Sequence, residues 1–140
     1  FKYHMNDITA ALALVQLHRV KDMNENRRMI AYKYNIEFES LGITDIGLQG
    51  SYCDSKTWHL YPIRIKDGRR DEFVEYMRDN GVSVGVHYKP IHLYLVFKYQ
   101  SLPVTEMVWQ ELVSLPMFPE MKSSEIRKVI RLVKAFFDKN

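Results

Sequence analysis

No glycine or proline occurs before Gly42, and that absence is the strongest constraint on what this chain folds into. Those two residues are the main punctuation of regular structure, so the opening stretch is free to remain one helix. Asn6 and Asp7 stand at its head as good N-cap types. Beyond them Ile8, Leu12, Val15, Arg19 or Val20, Met23, Arg27, Ile30 or Ala31, Tyr34 and Phe38 recur at spacings of three and four, the period of an amphipathic helix. Gly42 supplies the stop. A helix of about 30 residues exceeds the usual length in a globular domain. It suits a spine that links two domains or lies along a partner.

The rest of the chain is more finely divided. Residues 42–55 hold three glycines among small polar residues and read as a loop. Residues 58–65 are rich in β-formers and read as a strand, with Pro62 arguing for an edge position or a bulge. A turn at 66–68 leads to a helix over 70–80, with Phe73, Val74 and Met77 inward and Gly81 just past its end. Residues 82–86 alternate as a second strand. A loop carrying Pro90 follows, then a helix over 105–113, a short strand over 114–118 and a last amphipathic helix over 123–138. The inward face of that helix is Ile126, Val129, Ile130, Val133, Phe136 and Phe137.

The expected fold is therefore an α/β class (α+β sandwich), a long helix followed by a small sheet of about three strands covered by helices. In it the strands at 58–65 and 82–86 are neighbours joined through a helix. Residues 1–41 form the linking helix and 42–140 the α/β unit.

Composition limits the function classes. Apolar residues make up 46% and charged residues 26% of the 140, as in one soluble globular domain. The 20 basic and 17 acidic side chains are dispersed and leave a net charge of +3, so there is no nucleic-acid or membrane footprint. Apolar runs are far shorter than the roughly 18 residues of a membrane span. A single cysteine, Cys53, leaves no internal disulfide and fits a reducing cytoplasm. With no initiator Met and a helix signal so close to the start, the chain reads as a fragment or processed piece of a longer protein.

The densest polar and aromatic cluster is Gly85-Val86-His87-Tyr88-Lys89-Pro90-Ile91-His92-Leu93-Tyr94, at a strand end where functional loops tend to sit. Two imidazoles five residues apart are too few for tetrahedral zinc, which takes three or four protein ligands. Two His and a Lys on a loop can instead donate to phosphate or sugar hydroxyls, or be the exposed side chains of a proline turn. His59 and Tyr61 alternate and so share one face of the first strand. Lys2, Tyr3 and His4 precede a helix N-terminus, which favours anions; solvated basic side chains would read the same way. There is no Gly-rich dinucleotide loop, Walker motif, nucleophile elbow or zinc cysteine pair. Cys53 and His59 leave a cysteine nucleophile open.

Taken in order, the segments resemble one family. Lys2-Tyr3-His4-Met5-Asn6-Asp7-Ile8, Ala10-Ala11 and Leu14-Val15-Gln16-Leu17 open the pattern, and Arg27-Arg28, Ile30-Ala31 and Tyr34 continue it along the same helix. Trp58-His59-Leu60-Tyr61-Pro62-Ile63-Arg64, Arg70-Asp71-Glu72-Phe73 and Asn80-Gly81-Val82 follow. The histidine-rich loop, Leu102-Pro103-Val104-Thr105-Glu106 and Ser114-Leu115-Pro116-Met117-Phe118-Pro119 complete it. Together they are similar to the C-terminal small domain of DegT/StrS-type sugar aminotransferases, fold-type I enzymes that use pyridoxal 5'-phosphate (PLP).

The resemblance implies a cytoplasmic homodimer in which PLP is held mainly by a large domain absent from this chain, with the cofactor lysine there. The implied reaction passes an amino group, from glutamate, to a nucleotide-linked keto sugar. No catalytic residue falls in this chain, which alone would be inactive. Lys2 and His4 are implied to contact the cofactor phosphate across the dimer, where the family often has Asn. His59, His87, Tyr88 and His92 are implied to line the sugar-nucleotide cleft, and no metal is expected. After Leu93 the sequence Tyr94-Leu95-Val96-Phe97 departs from the family's more polar, proline-containing stretch. Relatives that carry His in place of the lysine use the amine form of the cofactor to remove a hydroxyl. A non-catalytic dimerisation or regulatory module is the alternative from another class, and a basic domain binding nucleic acid a further one.

Overall fold

The computed structural model describes residues 4–39, 57–97 and 100–138. Lys2, the loop at 42–55 with Cys53, and the expected helix stop at Gly42 lie outside the described residues. Helix α1 runs over Asp7–Glu39, strand β1 over Tyr61–Arg64, α2 over Arg70–Asp79, α3 over Pro103–Glu111, β2 over Leu112–Leu115 and α4 over Ser123–Phe137. A single 3-10 turn spans Ile91–Leu93.

The start of α1 is set by Asn6, whose Oδ1 accepts the Thr9 N–H at 2.8 Å and occupies one of the four donors a helix end leaves open. The 33-residue length agrees with the sequence reading, but the expected continuous inward face does not. Ile30, Ala31, Tyr34 and Phe38 are buried, whereas Ile8, Leu12, Val15, Leu17 and Val20 are all exposed among the described residues. The second half of the helix packs on α4, and Tyr34 donates its hydroxyl proton to the Pro116 carbonyl at 2.9 Å.

The two strands pair antiparallel in the register Tyr61↔Leu115, Pro62↔Ser114, Ile63↔Val113 and Arg64↔Leu112. Side chains alternate across a strand, so Tyr61, Ile63, Val113 and Leu115 share the face that enters the core, and all four are buried. Phe73 and Met77 of α2 and Ile126, Val129, Leu132, Val133 and Phe136 of α4 complete that core with the end of α1. Each such side chain contributes roughly 1.5–3 kcal/mol by leaving water.

The opposite sheet face carries Pro62, Arg64, Leu112 and Ser114. Ser114 directs both its N–H and its carbonyl to Gly85, at 2.7 and 3.0 Å, and thus away from β1. Pro62 therefore occupies a non-hydrogen-bonded position, with its missing donor turned away from β2, and among the described residues β1 stands at the edge of the sheet.

Three expectations are corrected. The run at 82–86 makes only an isolated bridge, Gly85↔Ser114, so β2 lies between it and β1 and the strands joined through α2 are not neighbours. The late strand begins at Leu112 rather than 114, because α3 ends at Glu111, two residues earlier than its apolar pattern implied. The first strand begins only at Tyr61, because Trp58 takes a positive φ of 40° and stacks on the Tyr61 ring at 5.7 Å.

Candidate functional site

The expected site residues fall in three places. His4 is exposed at the head of α1. Its imidazole and the first-turn N–H groups suit an anion, although Asp7 sets a carboxylate in the same turn. These groups fit one contribution to a phosphate site and not a complete one. His59 is exposed on the bend before β1, so it does not share the buried face of Tyr61, and the expected alternation is corrected by the late start of the strand.

The third place is the loop after Gly85, on the open face of the sheet. His87 Nδ1 lies 3.1 Å from the Ser114 hydroxyl, and Ser114 stands on the face opposite the core. Gly85 makes this fold-back possible, since a Cβ there would collide with the His87 ring. The Tyr88 ring, 71% exposed, lies 4.8 Å from that of His87, and Lys89 Nζ stands 5.2 Å over the Tyr94 ring. On the sheet face of Ser114, Arg64 Nε donates at 2.8 Å to Glu111, the last residue of α3, and both side chains are partly covered.

His92 differs from its neighbours. It is buried, and its Nε2 lies 3.1 Å from Glu106 Oε1. The same carboxylate oxygen accepts the Leu102 N–H at 3.1 Å at the start of α3. The Leu102 N–H first, and His92 second, hold the Glu106 carboxyl below its ordinary range. The loop thus leaves Tyr88 outward, folds the half-buried His87 onto the sheet face opposite the core, and keeps His92 inward. Among the described residues no group of three or more His, Cys, Asp or Glu is placed to hold a metal ion, and no helix is long and apolar enough to cross a membrane.

Sequence reasoning passed over Ser114 and Glu106 as partners. Glu106 was legible in part, since an acid four residues after Leu102 is placed to take a free N–H at a helix start. Ser114 carried no such signal, because its contact joins residues 27 apart in the chain.

Residues 1–134 match the model of the DegT/DnrJ/EryC1/StrS aminotransferase family. The fold superposes on the aminotransferase TlmJ from Streptoalloteichus hindustanus with a TM-score of 0.85 and 26% identity, over 96% of this chain and 37% of that one. Helicobacter pylori PseC, an aminotransferase involved in the biosynthesis of pseudoaminic acid, gives 0.88 and 24% over 100% of this chain and 39% of that one. Spr1654 from Streptococcus pneumoniae, solved in its PLP form, gives 0.79 and 24% over 97% and 36%. The chain therefore spans well under half the length of these proteins, and with a family match along nearly all of it, it belongs to the DegT/DnrJ/EryC1/StrS aminotransferase family.

Proposed function

We propose that this chain is the C-terminal, site-supporting part of a PLP-dependent aminotransferase that passes an amino group, from glutamate, to a nucleotide-linked keto sugar. The observation that carries the reading is the family match over residues 1–134. The 26% identity to TlmJ supports the amino-transfer chemistry. The PLP form of Spr1654 supports the cofactor. Nucleotide, keto sugar and donor rest on the resemblance of the sequence segments, as do a cytoplasmic location and a homodimer.

When bound, PLP supplies the electron sink, and the protein supplies orientation and electrostatics. On this reading the lysine that holds the cofactor belongs to the part of such enzymes that this chain does not span, and the chain alone is inactive. Its own residues bind and orient. Lys2 and His4 donate to the cofactor phosphate across the dimer. The exposed Tyr88 and the half-buried His87, on the sheet face opposite the core, meet the sugar-nucleotide, with His59 at the margin and His92 supporting from within.

The test is made on the full-length enzyme that contains this chain, with glutamate and a panel of UDP- and dTDP-linked keto hexoses. Visible absorbance from bound PLP and amino transfer to a member of the panel are expected. Loss of a sugar hydroxyl instead, with His at the lysine position, would move the protein to the dehydratases of the same family. A protein that binds no PLP and turns over nothing would be a non-catalytic module. Within the active enzyme, His87→Ala is expected to impair turnover of the sugar and spare the glutamate half-reaction.

A further inference from the structure

The segment carrying His87 and Tyr88 is held at two ends by different means. At its start, Gly85 exchanges two backbone hydrogen bonds with Ser114 in the middle of β2. At its far end the tie is a side-chain contact, His92 Nε2 to Glu106 Oε1 at 3.1 Å. Between them the Leu93 N–H bonds the Pro90 carbonyl at 3.0 Å, closing the 3-10 turn that aims His92 inward. Glu106 in turn sits in the first turn of α3 and accepts the Leu102 N–H. One carboxylate oxygen thus joins the loop to the head of a helix.

A buried imidazole set against a partly exposed carboxylate is a costly way to hold a loop. Desolvating the imidazole and part of the carboxylate offsets some of what they gain from one another, and an apolar pair of the same volume often serves stability as well. What an apolar pair cannot do is fix which nitrogen of a histidine carries a proton. An ionised carboxylate only accepts, so the nitrogen facing it must be the protonated one. The Leu102 N–H first, and the His92 contact second, hold the Glu106 carboxyl below its ordinary range, which favours its accepting, ionised form.

We propose that Glu106 is a positioning residue of the substrate loop. It ties His92 to α3 and fixes its ring as the Nε2–H form, so that the acceptor nitrogen is Nδ1. With the ring neutral, whatever group meets Nδ1 must then bring a donor. Through His92 the same carboxylate sets the lie of residues 87–91. This inference rests on the reading of that loop as one wall of the substrate cleft.

The experiment uses the full-length holoenzyme, labelled with 15N-histidine, in wild-type, Glu106→Gln and Glu106→Ala forms. His92 is expected to show the Nε2–H pattern in the wild type, to keep it in Glu106→Gln, whose amide oxygen still accepts, and to lose it in Glu106→Ala. With the panel member that turns over fastest, Glu106→Ala is expected to raise KM about tenfold with a smaller change in kcat, while Glu106→Gln stays near wild type, as a displaced contact and its restoration require. The glutamate half-reaction is the internal control and is expected to be unchanged in both.

A His92 ring protonated only on Nδ1, or one indifferent to Glu106→Ala, overturns the proposal. So does a wild-type KM in Glu106→Ala alongside a raised KM in His92→Ala, which would leave the loop's role standing. If Glu106→Ala, His92→Ala and His87→Ala all match wild type for the sugar while the 15N pattern shifts as expected, the tie exists and the cleft reading has failed.

Discussion

The two halves of α1 have similar apolar content and opposite fates. In the second half Ile30, Ala31, Tyr34 and Phe38 are almost wholly withdrawn from water, and Tyr34 and Phe38 stack at 5.6 Å. In the first, Ile8 is 76% and Leu12 65% exposed. The ion pairs differ in the same sense. Lys134 and Glu37 meet at 2.6 Å with both side chains partly covered, whereas Arg19 and Glu120 meet at 3.4 Å in solvent. Helical period therefore records which side of a helix is apolar, and not which stretch of that side is covered by its own chain.

The contrast breaks or sharpens on four substitutions in this chain, each followed by urea denaturation. Phe38→Ala is expected to cost about 3–5 kcal/mol, as for a large aromatic removed from a packed core. Tyr34→Phe removes one hydroxyl donor and leaves the Pro116 carbonyl without it, for about 1 kcal/mol. Lys134→Met should cost under about 1 kcal/mol and lose part of that effect in high salt, because the pair is only partly screened from solvent. Leu12→Ala is expected within about 0.5 kcal/mol of wild type. If Leu12→Ala instead approaches Phe38→Ala, the first half of the helix has a cover in solution, and the division drawn between the halves is wrong.

The long helix was legible because its signals are local. Asn6 as cap and the lack of glycine and proline act within one turn of where they stand. Helices α2 and α4 were legible for the same reason, through Gly81 and the spacing of Ile126, Val129 and Val133. Strand order was not, because β1 pairs with a segment some fifty residues away and nothing local to Tyr61 or Leu115 names the partner. The same holds in the candidate site. The loop from His87 to His92 was visible as a cluster, but where each histidine packs depends on Ser114 and Glu106, which approach from other elements. His59 was misplaced by a single torsion, the positive φ at Trp58, which no alternation rule foresees. Burial of the Tyr34 and Tyr61 hydroxyls, which raises both phenol pKa values, was likewise a property of the packed core and not of the strand or helix alone.

The placement of Pro62 has a consequence for how this sheet meets other chains. An open strand edge is a template on which a further strand can dock, and pairing of that kind is a common route to aggregation. A strand approaching the outer side of β1 would find a pyrrolidine ring where it needs an N–H, in the middle of a strand only four residues long. The ladder would be interrupted at its centre whichever direction the newcomer ran. One residue thus lets β1 serve the core through Tyr61 and Ile63 while making it a poor seed for growth of the sheet.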